Sequence, residues 1–166
     1  MNLRRVLLAS LLLSLAACGF HLRGSDLSDL RFGFKSIYLK TQGETPFVAD
    51  LRRALARNRM EPVASAAEAE LVLEVISEQT TKQILSLSGS GRVREYQLGY
   101  RVTLRAYDAQ QVERLPADDV QLSRVLTYGD AEILAKEQEE AQLYKDMRAD
   151  AVGQTLRRLM RAKPQE

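Results

Sequence analysis

The only thiol and the only imidazole of this 166-residue chain, Cys18 and His21, lie three residues apart near its start. Two arginines, Arg4 and Arg5, precede an apolar run over residues 6–15, and the run closes in Leu15-Ala16-Ala17-Cys18. A basic start, a short apolar core and small residues before a cut are the layout of a secretory signal peptide. A ten-residue core is too short to cross a bilayer, which takes about 20 apolar residues. The Leu-Ala-Ala-Cys ending looks like a bacterial lipobox, in which the chain is cut before the cysteine and its sulfur is acylated. Cys18 is therefore expected to carry a diacylglycerol on sulfur and an acyl group on the new N-terminus. A lone cysteine in an oxidising compartment, where thiols pair as disulfides, fits best if modification consumes it. Gly19 follows, not the Asp that resembles an inner-membrane retention signal, so the expectation is an outer-membrane protein, lipid-anchored on the periplasmic side.

Little else is equipped for catalysis. Asp118-Asp119 and Glu139-Glu140 are paired carboxylates, but adjacent acids on a strand or helix point apart. The segment Ser86-Leu87-Ser88-Gly89-Ser90-Gly91 matches neither a nucleophile elbow nor a phosphate loop. With the one histidine beside the cysteine, a serine nucleophile has no base. No enzyme, metal centre or cofactor is expected beyond the covalent lipid. The better candidates are basic. Arg92 and Arg94 follow a glycine-rich turn, where a guanidinium is either solvated or placed to fork onto a phosphate or carboxylate. Lys136 lies early in a helical stretch, and the acids after it pair with it at helical spacing.

These residues need a frame. The formal charge of +2 comes from the two leader arginines, since the 149 residues after Ala17 hold 22 basic and 22 acidic side chains. That balance argues against a nucleic-acid partner. Residues 18–31 read as a lipidated tether and residues 32–166 as one domain. Residues 36–40 form a short strand. Thr45 caps a helix that Pro46 opens, with Phe47, Leu51, Ala54, Leu55 and Met60 on its apolar face. Pro62 bars its continuation. A second strand starts at Leu71 and extends toward Leu87. A third starts at Val93, with Tyr96, Leu98, Tyr100, Val102, Leu104 and Ala106 on a dry face and the residues between them on a wet one. After a loop holding Pro116, a fourth strand covers residues 120–128. Gly129-Asp130 ends the sheet and caps a final helix over about residues 131–161, polar in its first half and apolar on one face in its second. The order β-α-β-β-β-α predicts an α/β (α+β) two-layer sandwich, a mostly antiparallel four-stranded sheet with both helices on one face. The other face stays polar, suiting a hydrophilic partner surface such as the lumen of a membrane barrel.

Three segments together resemble one family: Cys18-Gly19-Phe20-His21-Leu22-Arg23, Gly91-Arg92-Val93-Arg94-Glu95-Tyr96-Gln97-Leu98, and Leu134-Ala135-Lys136-Glu137 leading to Asp146-Met147-Arg148. The resemblance is to LptE, the lipopolysaccharide-assembly lipoproteins, and covers nearly all of the chain after Ala17. It implies an α/β plug inside the LptD β-barrel that binds lipopolysaccharide and supports both its assembly into the outer leaflet and the folding of the barrel. The family's basic ligand contacts map onto Lys136 and the hairpin tip. There the expected arginine aligns with Gly89, and Arg92 stands three residues later. The alternatives are a periplasmic scaffold or binding module for another envelope complex, anchored to the outer membrane, and a secreted hydrolase.

Overall fold

Strict alternation in one strand organises the whole domain. The computed structural model describes residues 32–129 and 133–163. The leader, Cys18, the tether and Asp130 lie outside the described residues. The chain runs β1 (Ser36–Lys40), α1 (Pro46–Arg57), β2 (Glu61–Pro62), a 3-10 turn (Ala66–Glu68), β3 (Leu71–Leu87), β4 (Val93–Asp108), β5 (Glu113–Thr127) and α2 (Ile133–Leu159). In β4, Leu98, Tyr100, Val102, Leu104 and Ala106 are buried, and the residues between them face the other way. They meet Ile37 and Leu39 of β1, Leu71 and Leu73 of β3, and Val120 and Leu126 of β5 in one core. Both helices close that core, α1 through Phe47, Leu51 and Leu55, α2 through Met147, Leu156 and Leu159. Each such side chain contributes about 1.5–3 kcal/mol by leaving water.

The sheet differs from the sequence expectation in strand number and pairing. It has five strands, in the order β2-β1-β3-β4-β5, and β1 pairs in parallel with both β2 and β3. Glu61-Pro62 is the additional strand: Glu61 N donates to Lys35 O at 2.9 Å and Val63 N to Ile37 O at 2.9 Å. The two donors flank Pro62, so its missing N–H faces outward, where an edge strand tolerates proline. Pro62 is also not what stops α1. The helix ends at Arg57, with Asn58 as its C-cap and Arg59 turned to φ 60°. Its start is as expected, with Val48 N donating to Thr45 Oγ1 at 3.3 Å. The last strand begins earlier than expected, at Glu113, and takes in Pro116. Leu104 pairs with Asp118 but Ala106 with Leu115, so Pro116 sits in a bulge on an edge strand, a place where a ladder donor is not required.

Side chains pin α2 along the sheet. Lys82 Nζ meets Glu140 Oε2 at 2.6 Å, Tyr144 Oη donates to Thr81 O at 2.9 Å, and Arg158 Nη2 donates to Asp119 O at 2.7 Å. Rising helix numbers therefore run away from the β3–β4 turn, and the polar start of α2 points toward it.

Candidate functional site

The β3–β4 turn is a closed structure. Ser88 N donates to Arg92 O at 2.7 Å, Gly91 N to Ser88 O at 2.9 Å, and Arg92 N to Ser88 Oγ at 3.0 Å. Gly91 sits at φ +80°, which only glycine adopts cheaply. The turn thus fixes where Arg92 leaves the backbone. Two residues on, Arg94 shares a strand face with Tyr96 and Leu98 by the alternation of the pleat, the face that carries α2.

Lys136 is one turn nearer the hairpin tip than Glu140, about 6 Å along the axis. Its ammonium meets Glu139 Oε2 at 2.8 Å, and its side chain keeps 19% of its exposure. The acid pairing expected from the sequence is present, through the partner three residues on. The fold directs Lys136, Arg92 and Arg94 toward one end of the molecule, on two elements. At that same end Glu140 lifts the pKa of the Lys82 ammonium by hydrogen bonding to it, against burial.

The paired carboxylates point apart, as expected. Asp119 accepts from Thr103 Oγ1 at 2.7 Å on the outer sheet face, whereas the Asp118 carboxylate meets Arg158 of α2 at 2.9 Å on the other. Neighbouring Ser77 Oγ donates to Thr103 Oγ1 at 3.0 Å, so a hydroxyl relay crosses three strands. Glu74, between Arg105 at 2.7 Å and Lys40 at 3.0 Å, is held below the usual carboxylate range first by the Arg105 hydrogen bond, then by that of Lys40. No group of three or more His, Cys, Asp or Glu able to hold a metal occurs among the described residues, and no helix there is long and apolar enough to cross a membrane.

Toward the tip, the outer face changes character. Rows Gln79–Arg101–Gln121, Thr81–Gly99–Ser123 and Gln83–Gln97 surround an open depression of about 530 Å³. Gly99 lies on its floor, where a Cβ would stand 2.3 Å from Thr81 Oγ1. Among the described residues the amides of Gln79, Gln83, Gln97 and Gln121 make no hydrogen bond. The sequence identified this face as wet; the dip at Gly99 and the four unmatched amides emerge only once the register is known.

Two further features have no sequence signal of their own. Tyr100 Oη donates to Glu78 Oε1 at 2.5 Å inside the core edge. Asp108 accepts from Gln110 N at 3.0 Å, Val112 N at 2.9 Å and Arg114 Nε at 2.8 Å in the β4–β5 turn. Burial pushes the Asp108 carboxyl up, but the Val112 amide and the Arg114 guanidinium outweigh it and hold it below its ordinary value.

Residues 34–159 match the protein-family profile LptE, described as lipopolysaccharide-assembly. Uncharacterized lipoprotein B of Nitrosomonas europaea is 40% identical, with 84% of this chain and 88% of that chain covered and a TM-score of 0.71. Rare lipoprotein B of Shewanella oneidensis is 25% identical, with 74% and 91% covered and a TM-score of 0.66. A minor lipoprotein of Acinetobacter baumannii, 21% identical over 82% of this chain and 100% of that one, shares the fold at a TM-score of 0.65. No curated protein matches the chain.

Proposed function

The chain belongs to the LptE lipopolysaccharide-assembly family, non-enzymatic and cofactor-free lipoproteins of the Gram-negative outer membrane, and we propose that it plugs the LptD barrel and binds lipopolysaccharide there. In this reading Cys18 carries the lipid and residues 18–31 tether the domain to the periplasmic side of the membrane. The outer sheet face lies against the barrel lumen, and holding that face supports folding of the barrel. Lys136, Arg92 and Arg94 contact the phosphates of the ligand.

One observation carries the reading. Both helices are spent on the dry side of the sheet, which leaves the other side broad, polar and lined with amides that have found no partner. Amides buried without hydrogen bonds cost about 1–3 kcal/mol each, so the covering surface must itself be hydrophilic. A barrel lumen meets that requirement and a lipid bilayer does not. The cations at the tip end suit an anionic, phosphorylated ligand, since charge-assisted hydrogen bonds to phosphate are the strong ones.

The test is the double variant Lys136→Asp/Arg92→Asp in the full lipoprotein. Binding of lipopolysaccharide at low salt should weaken by about tenfold or more, the loss of at least one charge-assisted contact. Co-purification with LptD should be retained, because neither residue lies on the outer face. Equal binding by variant and parent would overturn the ligand assignment, and failure of the parent to co-purify with the barrel would overturn the plug.

A further inference from the structure

Strand β1 is only five residues long and pairs with β3 over Leu71–Glu74, so from Ser77 onward β3 is an edge strand bonded to β4 alone. Its buried residues end at Val75. Beyond them the hairpin runs on for about ten residues, roughly 30 Å of chain at strand spacing. This stretch ends in three large apolar side chains that the fold leaves in water: Ile84 at 58% exposure, Leu85 at 48% and Leu87 at 55%. Register shifts lie between Ile84 and Ser86 and between Ser86 and Leu87. A bulge re-aims side chains out of strict alternation and blunts the edge against pairing with another strand. At the start of α2, Ile133 and Leu134 are exposed by 53% and 70%, at the same end of the domain.

Clustered apolar exposure of this kind marks a site for something apolar. The charges beside it indicate what. On the hairpin from Lys82 to Tyr96 the basic residues are Lys82, Arg92 and Arg94, against one acid, Glu95, whose carboxylate already accepts from Ser86 Oγ at 2.6 Å. Of the helix acids opposite, Glu139 pairs with Lys136 and Glu140 with Lys82, and Glu137 stands on the same side, so the cations the hairpin itself adds are Arg92 and Arg94. An element that is apolar and cationic together complements an anionic amphiphile, whose two ends ask for two different kinds of side chain. A hydrophilic barrel wall asks for only one.

We propose that the distal β3–β4 hairpin holds the acyl chains of the lipid ligand, with Ile84, Leu85 and Leu87 as their seat beside the cations that meet the phosphates. This rests on the lipopolysaccharide reading above and adds to it that the acylated end, not the saccharide, is what the hairpin grips. Half-exposed aliphatic side chains covered by acyl chains each gain roughly half of a full burial, so three together account for about a fifty- to two-thousandfold share of affinity.

The experiment uses the full lipoprotein in non-ionic detergent and two probes, intact lipopolysaccharide and the same material stripped of all its acyl chains. The parent should bind the intact form at least tenfold more tightly. Ile84→Gln/Leu85→Gln/Leu87→Gln should lose that advantage while binding the deacylated form as the parent does. Leu87→Met, which keeps the surface apolar, should bind like the parent. Thermal unfolding guards against misfolding, and should the triple variant unfold early, Leu87→Gln alone serves, with a threefold or greater loss expected. Equal binding of intact and deacylated probes by the parent overturns the acyl seat and leaves the lipopolysaccharide reading standing. Binding of neither probe overturns both.

Discussion

Replacing Tyr100 by phenylalanine removes one oxygen atom and leaves the packing otherwise intact. The ring is 3% exposed and its hydroxyl donates to Glu78 Oε1. The other carboxylate oxygen, Oε2, is buried with no hydrogen-bond partner among the described residues. The variant therefore strips a buried carboxylate of the donor this hydroxyl supplies. A hydrogen bond to a charged group is worth about 1.5–3 kcal/mol, and orphaning the acceptor sits at the upper part of that range. For a domain of this size each kcal/mol moves the midpoint by about 3–5 °C, so Tyr100→Phe should melt roughly 5–15 °C below the parent. Circular dichroism against temperature and against urea measures it. The partner variant separates a lost hydrogen bond from a lost fit: in Tyr100→Phe/Glu78→Leu both polar groups are gone, and stability should recover relative to Tyr100→Phe alone. A fall smaller than about 0.5 kcal/mol for the single change, or a double variant that simply sums two losses, would refute the account. The same geometry raises the phenol's pKa, by burial first and by Glu78 second, so Tyr100 should stay protonated well into an alkaline absorbance titration, and Tyr100→Phe should leave the absorbance change at moderately alkaline pH unaltered.

Thr45→Ala removes the acceptor for Val48 N and should cost about 0.5–1 kcal/mol in urea, with the slope of the transition unchanged; an unmoved midpoint counts against the cap. Asp108 has a folded pKa below its unfolded value, so the stability it adds is present above the ordinary aspartate range, about 3.9, and is lost as pH falls through the lowered value. Asp108→Asn should accordingly be less stable than the parent at neutral pH, with a shallower decline toward about pH 3; parallel declines would show that another group sets the acid limb. Gly89 has no atom within 4 Å of a built Cβ and no positive φ, so Gly89→Arg should keep the parent's melting point and bind lipopolysaccharide several-fold more tightly, and unchanged or weaker binding would deny the hairpin tip its phosphate contact.

How much of this was legible follows from which forces leave a mark in the sequence. The alternation of β4 and the Thr45-Pro46 start of α1 are local, and both stand in the structure as the residue order implies. Strand β2 is two residues long, too short for any period, and exists because Met60, at 0% exposure, draws the chain after α1 back beside β1. Pro116 reads as a loop residue until the bulge in β5 provides a position with no donor to supply. Asn58 and Arg59 end α1 through a left-handed residue that is not glycine, a choice with weak sequence signature.

The charged residues of the proposed site can be picked out in the sequence and its apolar ones cannot, for one reason. Ile84, Leu85 and Leu87 are the same residue types as the core-forming Leu71 and Leu73 on the same strand, and no property of the letters separates them. What separates them is the reach of their neighbours. Strand β1 stops after five residues and α1, at twelve residues, is about 18 Å long, so the layer that hides Leu71 does not extend to Leu87. Length mismatch between adjacent elements thus turns core-type residues into a surface. The bonded turn at Ser88 and Gly91 holds that surface in a fixed shape, as does the Lys82–Glu140 pair. A preformed surface of this kind binds without the ordering cost that a mobile loop would incur on meeting its ligand. In the proposed reading the hairpin is a preformed holder, and its affinity should respond to side-chain chemistry at the tip far more than to changes in backbone flexibility.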